Sequence, residues 1–530
     1  VSFSRGVRNL RMRLARLPRM GGTIPEAPAV AVRDPWPGDA SRGARLLKGE
    51  LVYYGAVRVL KPGGWPDASS SVALREHAHG FTWLRDLREI GTDAARMRAR
   101  ALVGDWMDAG VENVSMRPHV VGARLAAWLG HFDFFAASAD DVFREAMLRR
   151  VLNDARLLAA ALPAEELDGR ALTALRGLIA VSISFPEQAG YLQRALRFLP
   201  QEIARQVLPD GGHVERSPGA HLVALRDLIE MRSLLHLANA PAPAALGGAI
   251  ERLALALRTL RHGDGGLALF NGTRDEASPL IELILAQSGR YGRGGPAALP
   301  NMGFQRLQAG GTMLIVDAGA PAPAGLDRLA HAGTLSFELS VGRHRLIVNC
   351  GAAPVTGGAW VDAARATAAH STLVIADTSS AELRPVGLGR RPEHVVAQRQ
   401  EANGAHWLEA SHDGYKRPFG AVHRRRLYLA ESGEDVRGED AVEAATGQPW
   451  AVRFHLHPGV SANVQVDGEG VLLRLPANGG GWRLRAEGAK VALEESVYLG
   501  GAEPKRSEQV VLSGLADGAQ QVKWAITKVG

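Results

Sequence analysis

The sequence predicts an α+β fold in two parts, an α-helical domain followed by a large antiparallel β-sandwich. Three observations predict it. From Phe81 to about Ser288 the apolar residues recur at three- and four-residue spacing, the signature of amphipathic helices. After about Asn301 the period falls to two, the signature of strands. A chain of 530 residues, 46% of them hydrophobic and 22% charged, is also too long for one ordinary core. The expected division is a basic arm and extended linker over 1–80, a helical domain over 81–300 and a β domain over 301–530.

Taken in order, the opening "VSFSRGVRNLRMRLARLPRM" carries arginines as the start of a signal peptide would, but no apolar core follows them. It reads as a basic amphipathic arm with no visible signal peptide, and on sequence alone the expected compartment is the cytoplasm. Residues 31–80 mix proline, glycine and polar residues, so an extended linker with one short strand at Leu51–Leu60 is expected. The helical text then holds about six to nine helices, broken by Gly, Pro and Asp. In one of them, "SPGAHLVALRDLIEMRSLLHLAN", Leu222, Leu225, Leu228, Ile229 and Leu235 share a face, with Ser217 as N-cap and Pro218 at the first helical position. No stretch approaches the roughly 18 uninterrupted apolar residues of a membrane helix.

In the last part, "GTMLIVDAG", "TLSFELSV", "HRLIVN", "STLVIAD", "VHRRRLYLA", "WAVRFHLHP", "GVLLRLP" and "QVKWAIT" alternate between turn signals, enough for about a dozen strands. In "AGTLSFELSVG", Leu335, Phe337, Leu339 and Val341 point one way and Thr334, Ser336, Glu338 and Ser340 the other, the pattern of a half-buried strand.

The net charge of +7, with arginine dominant, favours an anionic partner, because guanidinium forks match carboxylate, sulfate and phosphate oxygens in pairs. A coding bias toward arginine would give the same totals. Basic stripes interleaved with aromatics are lacking, so nucleic acid is not the expected partner. The single cysteine, Cys350, excludes an intramolecular disulfide and a Cys-x-x-Cys metal site.

Chemistry concentrates in a few places. "LPDGGHVERSPGAHL" gathers His213, Glu215, Arg216 and His221; its paired glycines would let a ligand approach the backbone, and a helix start favours an anion. A tight turn with solvated side chains is the plainer reading. Arg85, Arg124 and Trp128 sit in helical runs where an indole could carry a sugar face and a guanidinium its carboxylate, or where the residues simply pack. His331, Asn349 and His370 could be brought together by a hairpin; two imidazoles and a third donor suffice for zinc, though their spacing is not diagnostic. "HDGYKRPFGAVHRRRLYL" adds His412, Tyr415 and His423.

Four of these stretches resemble motifs of the heparinase II/III family of polysaccharide lyases, over most of residues 81–530: "LPDGGHVERSPGAH" is similar to DGxHxExSPxYH, "HAGTLSFEL" to HADxxSFEL, "ARATAAHSTLVI" to RxTxAHNT, and "HDGY" occurs with "HRRRLYL". The resemblance implies an α/α toroid, an incomplete helical barrel, packed on an antiparallel β-sandwich with an acidic glycan in the cleft. It also implies β-elimination, in which a uronate carboxylate is neutralised and a tyrosine or histidine takes the C5 proton. No cofactor serves that chemistry. A structural zinc in some members would fall to His331, Asn349 and His370, and a periplasmic location would fit the family. The chain departs from the motifs at Ala220, where the catalytic tyrosine is expected, at Leu329, where the first histidine of HxHAD is expected, and at Gly333 and Asn349, where carboxylates are expected. Two readings follow from the resemblance, beside a third in which the basic surface and N-terminal arm engage nucleic acid or membrane lipid. One is a lyase in which His213 or Tyr415 replaces the missing base, Arg216 holds the uronate, and Arg85, Arg124, Trp128, Glu215 and His221 bind substrate. The other is a glycan-binding relative without turnover. Oligomeric state is left open.

Overall fold

The computed structural model describes residues 10–15, 23–109, 112–289, 294–465, 468, 470–477 and 479–529. Most of the expected basic arm lies outside the described residues; within it, residues 10–15 are helical. The chain forms two compact units, Val1–Gln206 with Val223–Ile250, and Val207–Leu222 with Glu251–Gly530. The loop bearing His213 and Arg216 belongs to the strand-rich unit. Hydrogen bonds explain this: Asp210 accepts the backbone N–H groups of Asn301 and Met302 at 2.7 and 2.9 Å, and Arg216 Nε donates to the Met302 carbonyl at 2.6 Å.

In the first unit the linker is more structured than its composition suggests. Helix α1 (Ala40–Leu47) is capped by Asp39, whose carboxylate accepts the N–H groups of Ser41 and Arg42. The single strand expected at Leu51–Leu60 is a hairpin of β1 (Glu50–Tyr53) and β2 (Ala56–Val59), turning on Tyr54 and Gly55 at φ 42° and 80°. Tyrosine at a left-handed position gives no sequence signal. There follow α2 (Val72–Gly80), α3 (Leu84–Ile90), α4 (Asp93–Asp108), α5 (Pro118–Gly130), α6 (Asp141–Ala161), α7 (Arg170–Ser184) and α8 (Ala189–Gln206). Helices α5 and α7 cross in backbone contact, because a Cβ on Gly177 would lie 2.2 Å from the Gly122 carbonyl oxygen. Phe81, Trp106 and Trp128 pack edge to face in the interior. No helix among the described residues is long and apolar enough to cross a membrane.

Helices α9 (Pro218–Leu237) and α10 (Ala244–Thr259) run across the unit boundary, and α11 (Ser278–Ser288) precedes the strands. Ser217 caps α9 as expected, its hydroxyl accepting the Ala220 N–H at 3.4 Å.

The second unit is built on one antiparallel sheet system. Its strands are β3 (Ala298–Leu299), β4 (Phe304–Ala309), β5 (Thr312–Asp317), β6 (Phe337–Val341), β7 (His344–Val348), β8 (Leu373–Ile375), β9 (Val395–Ala402), β10 (Ala405–His412), β11 (Val422–Leu429), β12 (Asp435–Leu456), β13 (Ser461–Val464), β14 (Gly470–Arg474), β15 (Gly481–Glu487), β16 (Lys490–Tyr498) and β17 (Lys505–Val529). The path runs β13-β14-β15-β17-β12-β7-β6-β5-β4-β3, with β9-β10-β11 joining at β12. The long strands β12 and β17 pair along their length with a register shift between Ala444 and Gln448. One half of β12 carries β11 and the other carries β8 and β7, so the same strand serves both layers of the sandwich. Between the layers, Phe337 stacks on Trp524 at 5.7 Å.

Strand β6 corrects the half-buried expectation. Ser336, Glu338 and Ser340 are as buried as the apolar face. Glu338 is tolerated there because its oxygens accept the N–H groups of Asn349 (2.8 Å) and Leu269 (3.1 Å) and bond His262 Nε2 (2.8 Å).

Candidate functional site

The loop before α9 is packed from within. Val207 and His213 form a backbone bridge that closes it. Gly211 and Gly212 were read as an opening for a ligand, but a Cβ on Gly211 would lie 2.3 Å from the Arg252 carbonyl oxygen and one on Gly212 2.4 Å from Met302 Cβ. Both glycines serve close approach of the chain to itself. His213 is fully buried and accepts the Glu215 N–H at Nδ1, 3.4 Å away. Glu215, also buried, has its carboxylate 3.7 Å from Arg328 Nη2. His221 donates from Nε2 to the Leu253 carbonyl at 2.8 Å, and burial pulls its pKa down to about 4.

Arg216 sits at φ 56° with its guanidinium over the Phe304 ring. Its Nη2 donates to Asp317 Oδ1 at 2.5 Å. Both side chains are buried, and burial raises the Asp317 carboxyl above its ordinary value against the pull of Arg216. The charge expected to hold a uronate carboxylate is therefore committed inside the protein.

Asn271, which the sequence did not flag, joins this loop to the histidines. Its Nδ2 donates to the Arg216 carbonyl at 2.9 Å and its Oδ1 accepts the His331 N–H at 3.1 Å. Its only advance signal was the turn-forming "NGT", consistent with φ 47° at Asn271.

The structure does bring His331 and His370 together, with Nδ1 of the first 3.1 Å from Nε2 of the second. The Ala366 carbonyl, 2.8 Å from His370 Nδ1, can only accept, so His370 is protonated at Nδ1 and takes the His331 Nδ1–H at Nε2. Burial holds His370 at about 4 and His331 well below its ordinary value. Asn349 Oδ1, the expected third ligand atom, is occupied by the Ser371 N–H at 3.0 Å. Among the described residues no group of three or more His, Cys, Asp or Glu is arranged to hold a metal ion. In the expected donor set a neutral amide, Asn349, stands where a carboxylate would balance the charge of a zinc ion. At Gly333 a Cβ would lie 2.6 Å from His370 Cδ2, so the missing side chain leaves room for the imidazole.

The remaining expected site residues lie as follows. Tyr415 is 0% exposed in the sandwich core, and its hydroxyl donates to the Leu373 carbonyl at 3.0 Å. Burial raises its pKa well above the ordinary phenol value, the wrong direction for a base. Arg124 and Trp128 are fully buried in the helical unit: Arg124 bonds Asp154 and the carbonyls of His79 and Ser115 and lies 4.4 Å from the Trp106 ring centre, while Trp128 packs in the aromatic cluster. Arg85 bonds Asp34 at 2.8 Å on the wall of a cavity of about 470 Å³ shared with Arg176, Glu230 and Ala127.

Residues 105–274 match the family described as Heparinase II/III N-terminus, and residues 292–525 match Heparinase II/III-like, C-terminal. FtsZ-localized protein C of Caulobacter vibrioides is 32% identical over 552 aligned residues, covering 99% of this chain and 93% of that protein. The chain belongs to the heparinase II/III family. A heparinase III structure superposes with a TM-score of 0.75 at 13% identity, over 98% of this chain and 89% of that one. Heparan sulfate lyase HepC from Pedobacter heparinus superposes with a TM-score of 0.59 at 16% identity, over 99% and 88%. These likenesses establish a heparinase III-like fold. As a heparinase II/III family member, the chain keeps the motif positions of its loops while directing their side chains inward.

Proposed function

We propose that this heparinase II/III family protein binds an acidic partner without cleaving it, and that it localises with FtsZ. One observation carries the first half: the expected bases His213 and Tyr415 are each 0% exposed. β-Elimination needs a base within reach of the C5 proton and a counter-charge on the neighbouring carboxylate. Arg216 supplies its charge to Asp317 instead. The second half is supported by the whole-length likeness to a relative named FtsZ-localized protein C. The lyase reading, cleavage of a uronate polysaccharide, draws on the names heparinase III and heparan sulfate lyase among the structural relatives.

One experiment decides between the readings. The full chain is incubated with heparan sulfate, chondroitin sulfate, hyaluronan and polygalacturonate, and absorbance from unsaturated sugar ends is followed. No absorbance is expected. A steady rise that survives repurification would establish the lyase reading in its place. A fluorescent fusion in its own host should co-localise with labelled FtsZ; an even distribution would remove the second half of the proposal.

A further inference from the structure

The outer face of the sandwich carries a row of side chains that neither the motifs nor the fold explains. Strand register places Trp407 opposite Tyr428, Tyr428 opposite Arg437, Arg437 opposite Ala525, and Ala525 opposite Arg485, one line across β10, β11, β12, β17 and β15. The alternate positions Leu408, Leu427 and Trp524 point into the core, so this line faces outward. A second outward line runs beside it: Glu409, Arg426, Glu439, Lys523 and Glu487.

The small Ala525 leaves a hollow between the two arginines of the first line. The result is a groove of about 510 Å³ lined by Trp407, Tyr428, Arg437, Arg485 and Lys523. Trp407 is 39% exposed, unusual for so large an apolar side chain, and a second hollow over Gln400–Ala402 lies against it. No hydrogen bond or ion pair among the described residues holds Arg485 or Lys523. Arg437 holds the half-buried Asp435 through Nε (2.9 Å) and Nη2 (2.7 Å), while its own side chain is 66% exposed and open to a second carboxylate.

We propose that this groove binds a carboxylated sugar chain. The inference rests on the reading of an acidic partner and names its class and its place. A pyranose offers a C–H face to the indole, its carboxylate fits a guanidinium fork, and its hydroxyls can donate to Glu439 and Glu487. An extended peptide is less suited, because every strand under the groove is paired on both sides and offers no free edge for backbone hydrogen bonds. Single-stranded nucleic acid could stack its bases on the same rings, and the oligo-dT comparator below reads that alternative.

The test measures binding of the full chain to polygalacturonate by calorimetry and affinity electrophoresis, with neutral dextran, poly-glutamate and oligo-dT as comparators. Polygalacturonate should bind and dextran should not. Trp407→Ala, and separately the double change Arg437→Ala with Arg485→Ala, should each weaken binding by about tenfold or more at unchanged Tm, the loss of a good aromatic or charge-assisted contact. Ala525→Leu, which fills the hollow from an outward position, should do the same if the other variants disturb the sheet. Unaltered affinity in all three, no binding to polygalacturonate, or tighter binding of poly-glutamate or oligo-dT would each overturn the proposal. Absence of lyase turnover reads on the loop site and failure of the groove variants reads on the sheet, so the two results stay separate.

Discussion

The guanidinium of Arg216 stands 2.5 Å from the carboxylate of Asp317, and both side chains are buried beside the loop that a lyase would use on its substrate. The pair joins the loop before α9 to the end of β5, and the Arg216 bond to the Met302 carbonyl completes the link. Its role is to hold the chain together.

Arg216→Ala and Asp317→Ala should therefore act on stability. Removing one partner leaves the other as an unbalanced buried charge, which costs about 3 to 5 kcal/mol. Changing both to apolar residues of similar volume should cost less than either single change. Urea unfolding monitored by tryptophan fluorescence reads all three. If Arg216 instead contacted the ligand, Arg216→Lys would lose binding while keeping most of the stability, and that outcome would return it to the site.

The helical and strand halves were legible because both depend on local periodicity, and the Ser217 cap was legible because capping acts within three residues. The fate of the motif residues was not legible, because it depends on partners far along the chain. Arg216 meets Asp317 across 101 residues, and Tyr415 meets the Leu373 carbonyl across 42. "HDGY" reads as a polar turn, and nothing local shows that its tyrosine enters the core. The glycines of the loop misled for the same reason: permissive backbone can admit a ligand or another strand of the protein, and Arg252 and Met302 fill the space here. The outer groove was invisible because it depends on strand register, which sets five separate strands in one line.

Acid should destabilise the protein from near neutrality downward. In the sandwich core the Gly414 N–H donates to His412 Nδ1 (3.0 Å), His412 Nε2–H donates to His423 Nδ1 (3.3 Å), and His423 Nε2–H donates to Asp440 Oδ1 (2.7 Å). Burial, aided by His423 and Arg425, holds His412 well below its ordinary pKa, and burial also lowers His423. His131 and His221 are lowered to about 4 and His77 to about 3, again chiefly by burial. A histidine whose folded pKa lies below its unfolded value of about 6.5 gives stability that is present above that pH and lost as pH falls below it, because the unfolded chain takes up the proton first. Each such group contributes a slope of about 1.4 kcal/mol per pH unit. Urea midpoints should be flat from pH 8 to 7 and fall steeply from about 6.5 to 5. His412→Gln should make that slope shallower by up to one proton; stability rising toward pH 5 would contradict the assignment.

The histidine pair should behave as a hydrogen bond and not as a metal site. His331 and His370 already satisfy each other, and Asn349 is engaged with Ser371. Protein purified without chelator should carry far less than one zinc per chain by elemental analysis, and EDTA should leave its Tm unchanged. Gly333→Ala supplies the complementary measurement. The added Cβ would meet His370 Cδ2 at 2.6 Å and Nε2 at 3.1 Å in a place where the backbone is not left-handed, so the cost is steric. Overpacking of this kind costs about 1 to 3 kcal/mol, and here it also pushes His370 off the His331 N–H. A lowered Tm that chelator does not alter is the expected result. One zinc per chain, or a Tm that drops on chelation of the unaltered protein, would mean that the two imidazoles part to admit the ion.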